Sequence, residues 1–287
     1  MHFLITGASG TLGRFIASRL SNDGHELTLM GRTPPAQAGT GFQEWDLSDT
    51  SVSLPVADAL VHCAFSHVPG KYRGGEGDDP HGFIARNAEG TVRLFEAAKS
   101  AGIRHCVFLS SRAVYSDTGN WAVLTENAET RPDTLYGQVK LVCEQALESL
   151  CDDGFCGTSL RATGIYGCPP GQSVHKWSDL FEAFVEGRKI APRLGTEVHG
   201  DDLADAVALV LEKRPGEGTD YEVYNVSDLL LDRQDLLKLY AGVKGMTANL
   251  PGRGAGPVGV MEPGKLKVLG WAPGGMTRLK AFLETLS

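Results

Sequence analysis

The sequence predicts an α/β fold, a Rossmann-type doubly wound parallel sheet to which a smaller, discontinuous C-terminal lobe is added. Through the first two-thirds of the chain, short apolar or β-branched runs alternate with longer runs of helical periodicity, a pattern typical of parallel strands connected by helices. After about residue 165 this alternation weakens, and proline and glycine cluster at 167–171 and 242–264. A lobe rich in loops is therefore expected beyond the main sheet.

The predicted strands and helices alternate from the N-terminus. Strands are expected at residues 2–6, 26–30, 59–63, 105–110, 157–161 and 221–226. Helices are expected at residues 11–22, 83–100, 135–150 and 201–212. Residues 1–165 should form the main domain, 199–226 should return to it, and 166–198 with 227–287 should form the small lobe.

Composition narrows the classes of partner and site. The 287 residues carry a formal charge of −8 and no basic stripe, which argues against a nucleic-acid partner. The first strand lacks the charged lead and the length of a signal peptide or membrane span, so a cytoplasmic protein with no membrane contact is expected. The six cysteines form no Cys-x-x-Cys pair and the histidines stand at no metal-ligand spacing, so we expect reduced thiols and no metal site.

A glycine-rich turn, TGASGTLG, lies between the first strand and the first helix. Such a turn needs positive φ, a dinucleotide pyrophosphate needs backbone without a side chain in its way, and the helix N-terminus offers free amides. Glycine spacing alone is a weak signal, but this context favours a dinucleotide site over a purely structural turn. The residues predicted to contact the dinucleotide here are Gly7, Gly10, Thr11, Leu12, Gly13 and Arg14.

The end of the second strand bears on the choice between NAD and NADP. It reads Met30-Gly31-Arg32, without the acid that would bind the adenosine ribose of NAD. Arginine can form charge-assisted hydrogen bonds with a 2′-phosphate, and Arg14 is expected to point toward the same region. The sequence thus favours NADP as the cofactor, with NAD as the alternative if Arg32 is only a solvated strand end.

Tyr136 and Lys140 stand four residues apart, on one face of the helix predicted at 135–150. A phenol with a pKa of about 10 is a poor acid or base at neutral pH, and a nearby cation lowers that pKa by favouring the phenolate. Ser111, at the end of a predicted strand, can hydrogen-bond the same substrate oxygen. These three residues are the predicted catalytic set.

A second Tyr-x-x-x-Lys match, Tyr240 and Lys244, shows that this spacing also arises by chance. Gly242 is expected to interrupt that helix, and no serine at a strand end precedes the pair at a comparable distance. Tyr136, in contrast, follows Ser111 and the glycine turn. The context, more than the spacing, selects Tyr136.

Short segments spread over nearly the whole chain carry a family resemblance. They are TGASGTLG at 6–13, DLSD at 46–49, HCAF at 62–65, NAEGT at 87–91, SSRAVY at 110–115, YGQVK at 136–140, LRATGIYG at 160–167, HGDDLADA at 199–206 and YNVSD at 224–228. Together they resemble the extended branch of the short-chain dehydrogenase/reductase superfamily, the group of NAD(P)-dependent nucleotide-sugar epimerases, dehydratases and reductases.

The resemblance implies roles for individual residues. Tyr136 would be the catalytic acid/base, Lys140 would tune it and bind the nicotinamide ribose, and Ser111 would orient the substrate oxygen. Hydride would pass between the nicotinamide and the carbon that bears this oxygen. The further residues that would line the cofactor are Asp46, Leu47, Ala64, Phe65 and Asn87. Asp46 and Asn87 have alternatives as a turn residue and a helix cap.

The residues after Ser111 narrow the function. Dehydratases of the group carry an Asp-Glu pair where this chain has Arg112 and Ala113, so a sugar 4,6-dehydratase is not expected. The predicted NADP preference favours an oxidoreductase that transfers hydride between NADP(H) and a hydroxyl or carbonyl carbon of a small polar, sugar-like substrate. An NAD-dependent nucleotide-sugar epimerase is the first alternative. A non-catalytic NADP-binding sensor is the second, although a sensor needs no Tyr136.

Two segments, 66–83 and 168–176, are expected to shape the pocket of a substrate-binding small lobe. In the first segment, Lys71 and Arg73 are candidates to meet an acidic substrate, or else are solvated loop charges. The helices near 84–100 and 135–150 are candidates to pack against the same pair of a second copy, so a homodimer is expected.

Overall fold

The computed structural model describes residues 1–34, 40–68, 75–115, 122–213, 220–247 and 249–286. In chain order the strands are β1 His2–Thr6, β2 Glu26–Gly31, β3 Gly41–Glu44, β4 Ala59–His62, β5 His105–Ser111, β6 Val123–Leu124, β7 Cys156–Ala162, β8 Gly164–Tyr166, β9 Leu194–His199, β10 Tyr221–Val226, β11 Leu229–Asp232 and β12 Val260–Met261. The helices are α1 Thr11–Asn22, α2 Pro80–Ile84, α3 Gly90–Ser100, α4 Leu135–Leu150, α5 Ser178–Val185, α6 Gly200–Lys213, α7 Arg233–Lys244, α8 Gly264–Val268 and α9 Gly275–Glu284.

Within the described chain, the main sheet has seven strands in the order β10-β7-β5-β4-β1-β2-β3, and every pairing in it is parallel. β1 is an unbroken apolar run because both faces of the sheet are covered. Its Phe3 and Ile5 pack in one core with α1 and α6, whereas Leu4 packs in a second core with α3 and α4. The predicted Rossmann-type doubly wound sheet is confirmed.

The last strand of the main sheet comes from late in the chain. β10 pairs with β7 at the sheet edge, and α6, just before it, packs against α1. The chain therefore leaves the main sheet after β7 and returns to it through α6 and β10.

The part of the chain beyond β7 contains more regular structure than the sequence predicts. β8, β9 and β11 form a second sheet in the order β11-β9-β8. Helices α5, α7 and α9 pack with it around an aromatic cluster of Tyr166, Trp177, Phe181, Tyr240 and Phe282. The expectation of a loop-rich lobe is wrong for these segments, because short strands and helices leave too brief a periodic pattern in the sequence.

Three further elements differ from expectation. The predicted helix at 83–100 begins earlier, at Pro80, and contains a π-helical turn, Ala85–Glu89, before α3. β3 is an edge strand that the sequence did not reveal. α7 continues through Gly242 and ends at Lys244, so Gly242 does not interrupt that helix. Gly245, with a left-handed φ of 61°, caps its C-terminus. No helix among the described residues is long and apolar enough to cross a membrane.

Candidate active site

The carboxyl ends of four neighbouring strands form one edge of the main sheet. Gly7 follows β1, Ala64 comes after β4, Ser111 ends β5 and Ala162 ends β7. Because parallel strands end at the same edge, these positions border one crevice, which is where open α/β sheets bind ligands. The predicted glycine turn and the predicted catalytic serine are thus brought to the same edge.

The glycine turn packs directly against the backbone after β4. Gly7 has a φ of 69°, and a Cβ there would lie 2.7 Å from the Ala64 nitrogen. A Cβ at Gly13 would overlap the Gly7 oxygen. The Ala64 amide in turn donates to Thr6 Oγ1 at 3.2 Å. Glycine is therefore required at both positions, and the turn has the close-packed backbone that a pyrophosphate site needs.

The first turn of α1 begins beside this turn. Gly10, the residue before the helix, has no side chain that could cap the amides of Thr11, Leu12 and Gly13. A helix N-terminus also carries a partial positive charge. The turn and helix therefore fit the pyrophosphate of a dinucleotide.

Arg14 does not point where the sequence suggested. Its Nε donates to the Ser9 carbonyl at 2.9 Å, and its Nη1 donates to the Pro170 carbonyl at 3.4 Å. These two acceptors hold the guanidinium toward the loop after β8, within the predicted substrate segment 168–176. The expectation that Arg14 joins Arg32 is therefore wrong.

Arg32 follows β2 with its side chain 83% exposed, and its Nε lies 3.7 Å from Asp46 Oδ2. Asp46 follows the neighbouring strand β3, so an acid stands beside the end of β2 although β2 itself lacks one. The Ser48 hydroxyl donates to Asp46 Oδ1 at 2.5 Å and holds the pKa of that carboxyl below its ordinary value. The absence of an acid from the end of β2, on which the predicted NADP preference depends, therefore does not leave this region without a carboxylate.

Helix α4 approaches the end of β5 closely. A Cβ on Gly137 would overlap the Ala113 oxygen, so glycine is needed at this contact. The Ala113 amide donates to the Ser111 hydroxyl at 3.1 Å. The contact brings the first turn of α4, with Tyr136, to the turn that follows Ser111.

Lys140 lies in the interior next to Tyr136. It is 4% exposed, and its Nζ donates to the Leu109 carbonyl at 2.6 Å. The Nζ atom lies 4.6 Å from the Phe65 ring centroid and 6.0 Å from that of Tyr136, and these two rings meet edge to face at 5.0 Å. Burial lowers the pKa of Lys140 from 10.5 to about 8. The phenol predicted to react therefore lies beside a cation and beside the predicted cofactor residue Phe65.

Asn87 and Leu47 contact protein groups around the same edge. Asn87 Oδ1 accepts from the Ser66 amide at 2.7 Å, and its Nδ2 donates to the carbonyls of Ser66 and Phe83 at 2.8 and 3.0 Å. These bonds fix the loop after β4. The predicted contact of Asn87 with the cofactor stays a prediction. Leu47 is buried, and its oxygen would overlap a Cβ on Gly90 at the start of α3.

The remaining sequence features are the cysteines, the candidate metal ligands, two loop cations and the second Tyr-x-x-x-Lys match. The six cysteines are free thiols. Across the described ranges, no three histidine, cysteine, aspartate or glutamate side chains are grouped to hold a metal ion. Lys71 and Arg73 lie outside the described residues. The ring of Tyr240, in the second Tyr-x-x-x-Lys match, stacks on Phe181 with centroids 4.0 Å apart in the lobe core.

A family model supplies the decisive comparison. The model of the NAD-dependent epimerase/dehydratase family matches residues 3–227, a range that holds the glycine turn, Ser111, Tyr136 and Lys140. The chain belongs to this family. The resemblance to the extended short-chain dehydrogenase/reductases is thereby confirmed, and the chain is a member of a family of enzymes.

Individual relatives of this epimerase/dehydratase chain share less than 30% of its residues in the matches described here. It is 27% identical over 244 residues to a UDP-glucose 4-epimerase of Streptomyces lividans, a match that covers 75% of this chain and 72% of that protein. Its match to a UDP-glucose 4-epimerase of Corynebacterium glutamicum, 28% identical, covers 58% of this chain and 53% of that protein. A solved structure of MoeE5 in complex with UDP-glucose and NAD superposes with a TM-score of 0.79 at 22% identity, over 100% of both chains. The structural likeness shows a shared fold.

One cluster near the edge was missed by the sequence reasoning. Lys176 and Arg193 both pair with Glu197, a buried carboxylate on β9, the second with an Nη1 to Oε1 distance of 3.4 Å. The ion pair of Lys176 lies against Gly164, two residues beyond the end of β7. Lys176 stands 21 residues before Glu197 in the sequence, so spacing could not predict their contact. Arg193 stands only four residues before Glu197, but it precedes a strand, where this spacing does not predict an ion pair.

Proposed function

We propose that this chain is an NAD-dependent nucleotide-sugar epimerase that inverts a hydroxyl-bearing sugar carbon. The observation that carries the proposal is the Lys140 Nζ atom 6.0 Å from the Tyr136 ring centroid, on a helix that packs against the turn after Ser111, in a chain of the epimerase/dehydratase family. Arg112, where a dehydratase acid is expected, is engaged elsewhere, since its Nη2 donates to the Gly259 carbonyl at 2.9 Å. The names of the curated relatives support epimerisation over the net oxidoreduction favoured by the sequence alone.

The proposed mechanism uses two side chains on one substrate oxygen and a third that acts on the phenol. The Tyr136 phenolate takes the proton of the sugar hydroxyl and later returns it, while the Ser111 hydroxyl hydrogen-bonds the same oxygen. Lys140, as a cation beside the ring, lowers the pKa of the Tyr136 phenol. When bound, the nicotinamide supplies hydride acceptance and return.

NAD is the proposed cofactor. The glycine turn fits a dinucleotide, and the Asp46 carboxylate beside Arg32 disfavours the extra charge of a 2′-phosphate. The solved MoeE5 relative holds NAD. A second candidate, an NADP-dependent reductase, is favoured by the exposed guanidinium of Arg32.

A nucleoside diphosphate sugar is the proposed substrate class. Lys176 and Arg193 carry two positive charges around the single carboxylate of Glu197, near the end of β7. An anionic diphosphate would balance the remaining charge. The homodimer and the cytoplasmic location stay predictions.

The test is turnover of UDP-glucose or UDP-galactose by the purified protein, with products separated by chromatography and no net consumption of nucleotide. We expect interconversion of the two sugars, and a loss of about 10²- to 10⁴-fold in kcat for Tyr136→Phe. Tyr240→Phe is the matched control and should retain activity, because that ring lies in the lobe core.

Each alternative has its own outcome. Stoichiometric oxidation of NADPH with a carbonyl substrate, and no interconversion, would support the reductase. Tight dinucleotide binding without turnover of any substrate would support the sensor. Full activity of Tyr136→Phe would overturn the mechanism.

A further inference from the structure

A connected set of buried polar side chains lies behind the candidate active site. This Glu144 network consists of Ser110, Tyr115, Glu144, Arg161 and Asn225. Glu144 accepts from Arg161 through both oxygens, at 3.1 Å from Nε and 2.6 Å from Nη2. Arg161 Nη1 donates to the Tyr115 hydroxyl at 2.9 Å, and that hydroxyl donates to Asn225 Oδ1 at 2.9 Å. The network thus connects α4 with strands β5, β7 and β10.

Glu144 joins the two elements that carry the proposed catalytic residues. It lies on α4 one turn beyond Lys140 and two turns beyond Tyr136, on the same face. Its carboxylate also accepts a hydrogen bond from the Ser110 hydroxyl, next to Ser111. Because successive side chains of a strand point to opposite faces, holding Ser110 against α4 fixes the face from which Ser111 projects.

Glu144, one helical turn from Lys140 on α4, also contributes to the charge around it. The titratable groups around Lys140 include the phenol of Tyr136 on α4, described above. The others that act on Lys140 are His62 and Cys63, on and after β4, and Cys143 on α4. Burial lowers the pKa of His62 to about 3, and it raises the pKa of Cys63 to about 12 and that of Cys143 to about 11. All three are therefore neutral at physiological pH. Apart from the Tyr136 phenol, Glu144 is therefore the acidic group of this described set that carries a negative charge, and it opposes the effect of burial on Lys140.

We propose that Glu144 is a positioning residue for the epimerisation, which sets the register between α4 and the end of β5 and serves as counter-ion to the Lys140 ammonium. The proposal rests on the proposed roles of Tyr136, Lys140 and Ser111. Arg161, on β7, supplies the positive charge on the far side of the carboxylate and fixes its orientation by two hydrogen bonds. Fixing register is the best-attested use of a buried polar group, whereas its net contribution to stability is small.

The first test measures Lys140 directly and needs no substrate. Protein labelled at lysine side chains is titrated by NMR, and the Lys140 signal is assigned by its loss in Lys140→Met. Glu144→Gln should lower the Lys140 pKa, because the carboxylate is lost and the Arg161 cation stays. Glu148→Gln, an exposed glutamate one turn further along α4, is the matched control and should leave the Lys140 titration unchanged. Equal Lys140 titrations in the two variants would overturn the counter-ion role.

The second test separates the role of Glu144 in the register between α4 and β5 from its role as a negative charge near Lys140. Ser110→Ala removes the link to β5 but keeps the ion pair, so it also tests the register if Glu144→Gln does not fold. We expect kcat to fall about tenfold to a hundredfold with KM for the UDP-sugar nearly constant, because misplacement of reacting groups by a fraction of an ångström has effects of this size. The Lys140 titration should not change in this variant.

The outcomes remain distinct from those of the proposed function. In Glu144→Gln, kcat should fall and the alkaline limb of the kcat profile should move to lower pH together with the Lys140 titration. A lower melting temperature with unchanged kcat and an unchanged alkaline limb would show a merely structural role and overturn the proposal. If the wild-type protein turns over no nucleotide sugar, the proposed function fails, and the NMR titration still decides whether Glu144 sustains the Lys140 charge.

Discussion

Lys140 holds a cation in the protein interior, and this should appear in the pH dependence of stability. Its pKa falls by burial from 10.5 to about 8 on folding. Between these values the unfolded chain binds more protons, so the free energy of unfolding rises with pH across this window. The cost of the buried charge is therefore present in full below the window and disappears above it.

Lys140→Met removes this titration. We expect the variant to be more stable than the wild type at neutral pH by about 2 kcal/mol, from about 3 kcal/mol of relieved burial less about 1 kcal/mol for the lost bond to the Leu109 carbonyl. The gain should shrink as pH rises through the window. Urea denaturation at a series of pH values measures both curves, and a gain independent of pH would contradict this account.

Single residues differ in how far the sequence determines them. That Tyr136 and Lys140 share one face of α4 was predictable from their helical spacing, whereas the choice of this pair over Tyr240 and Lys244 depended on its context. The orientation of Arg14 and the partner of Arg32 were not predictable, because each long side chain contacts a residue distant in sequence. Arg14 donates to the Pro170 carbonyl, and Arg32 lies beside Asp46. The Glu144 network was not predicted for the same reason, since its members come from α4, β5, β7, β10 and the turn after β5.

At the scale of elements, the contact between α4 and the turn after β5 depends on a missing side chain. Gly137→Ala would place a Cβ on the Ala113 oxygen. We expect this variant to lose at least about tenfold in kcat and to melt earlier, although alanine favours helix by about 1 kcal/mol.

Gly242 in α7 is the matched control for that substitution. A Cβ there meets nothing within 4 Å. Gly242→Ala should therefore stabilise the protein by about 0.5–1 kcal/mol and leave kcat unchanged. Paired thermal melts and rate measurements on the two variants decide the point, and similar effects of both would argue against a special contact at Gly137.

The elements that were predicted correctly share a physical property. β1 and β5 are buried on both faces and so carry continuous apolar runs, and α1 shows its buried stripe at helical spacing. β3 and β8 were not predicted, because they show no periodic pattern of apolar residues. β3 is an edge strand of four residues, β8 has three residues, and each begins with glycine. Their pairing is determined by neighbours far along the chain.

For the whole molecule, the preference for NAD over NADP should be measurable as a difference in thermal stability. A ligand that binds only the folded state adds about 2.7 kcal/mol at a hundredfold excess over its Kd. We expect NAD to raise the melting temperature more than an equal concentration of NADP. Asp46→Asn should narrow or reverse this difference, because the carboxylate beside Arg32 is gone. Asp153→Asn, an exposed aspartate in the turn before β7, is the control, and an NADP preference in the wild type would overturn the assignment.

The architecture as a whole was predicted in part. The parallel sheet and its return strand β10 follow from patterns that each segment carries by itself. The second sheet does not, because β9 pairs with both β8 and β11, in parallel and antiparallel directions that no single segment encodes. The division into domains at 165, 199 and 226 stays a prediction.

The late position of β10 also sets the order in which a newly synthesised chain can mature. A ribosome releases Ser111, Tyr136, Lys140 and Arg161 before it has made residue 221, so β7 first exists as an open edge of the sheet. Open edges are templates for wrong pairing, and the Tyr115 hydroxyl still lacks Asn225 at that stage. The edge of β7 would therefore stay open to wrong pairing until β10 is made, and enzymatic competence would arrive only after translation has passed β10.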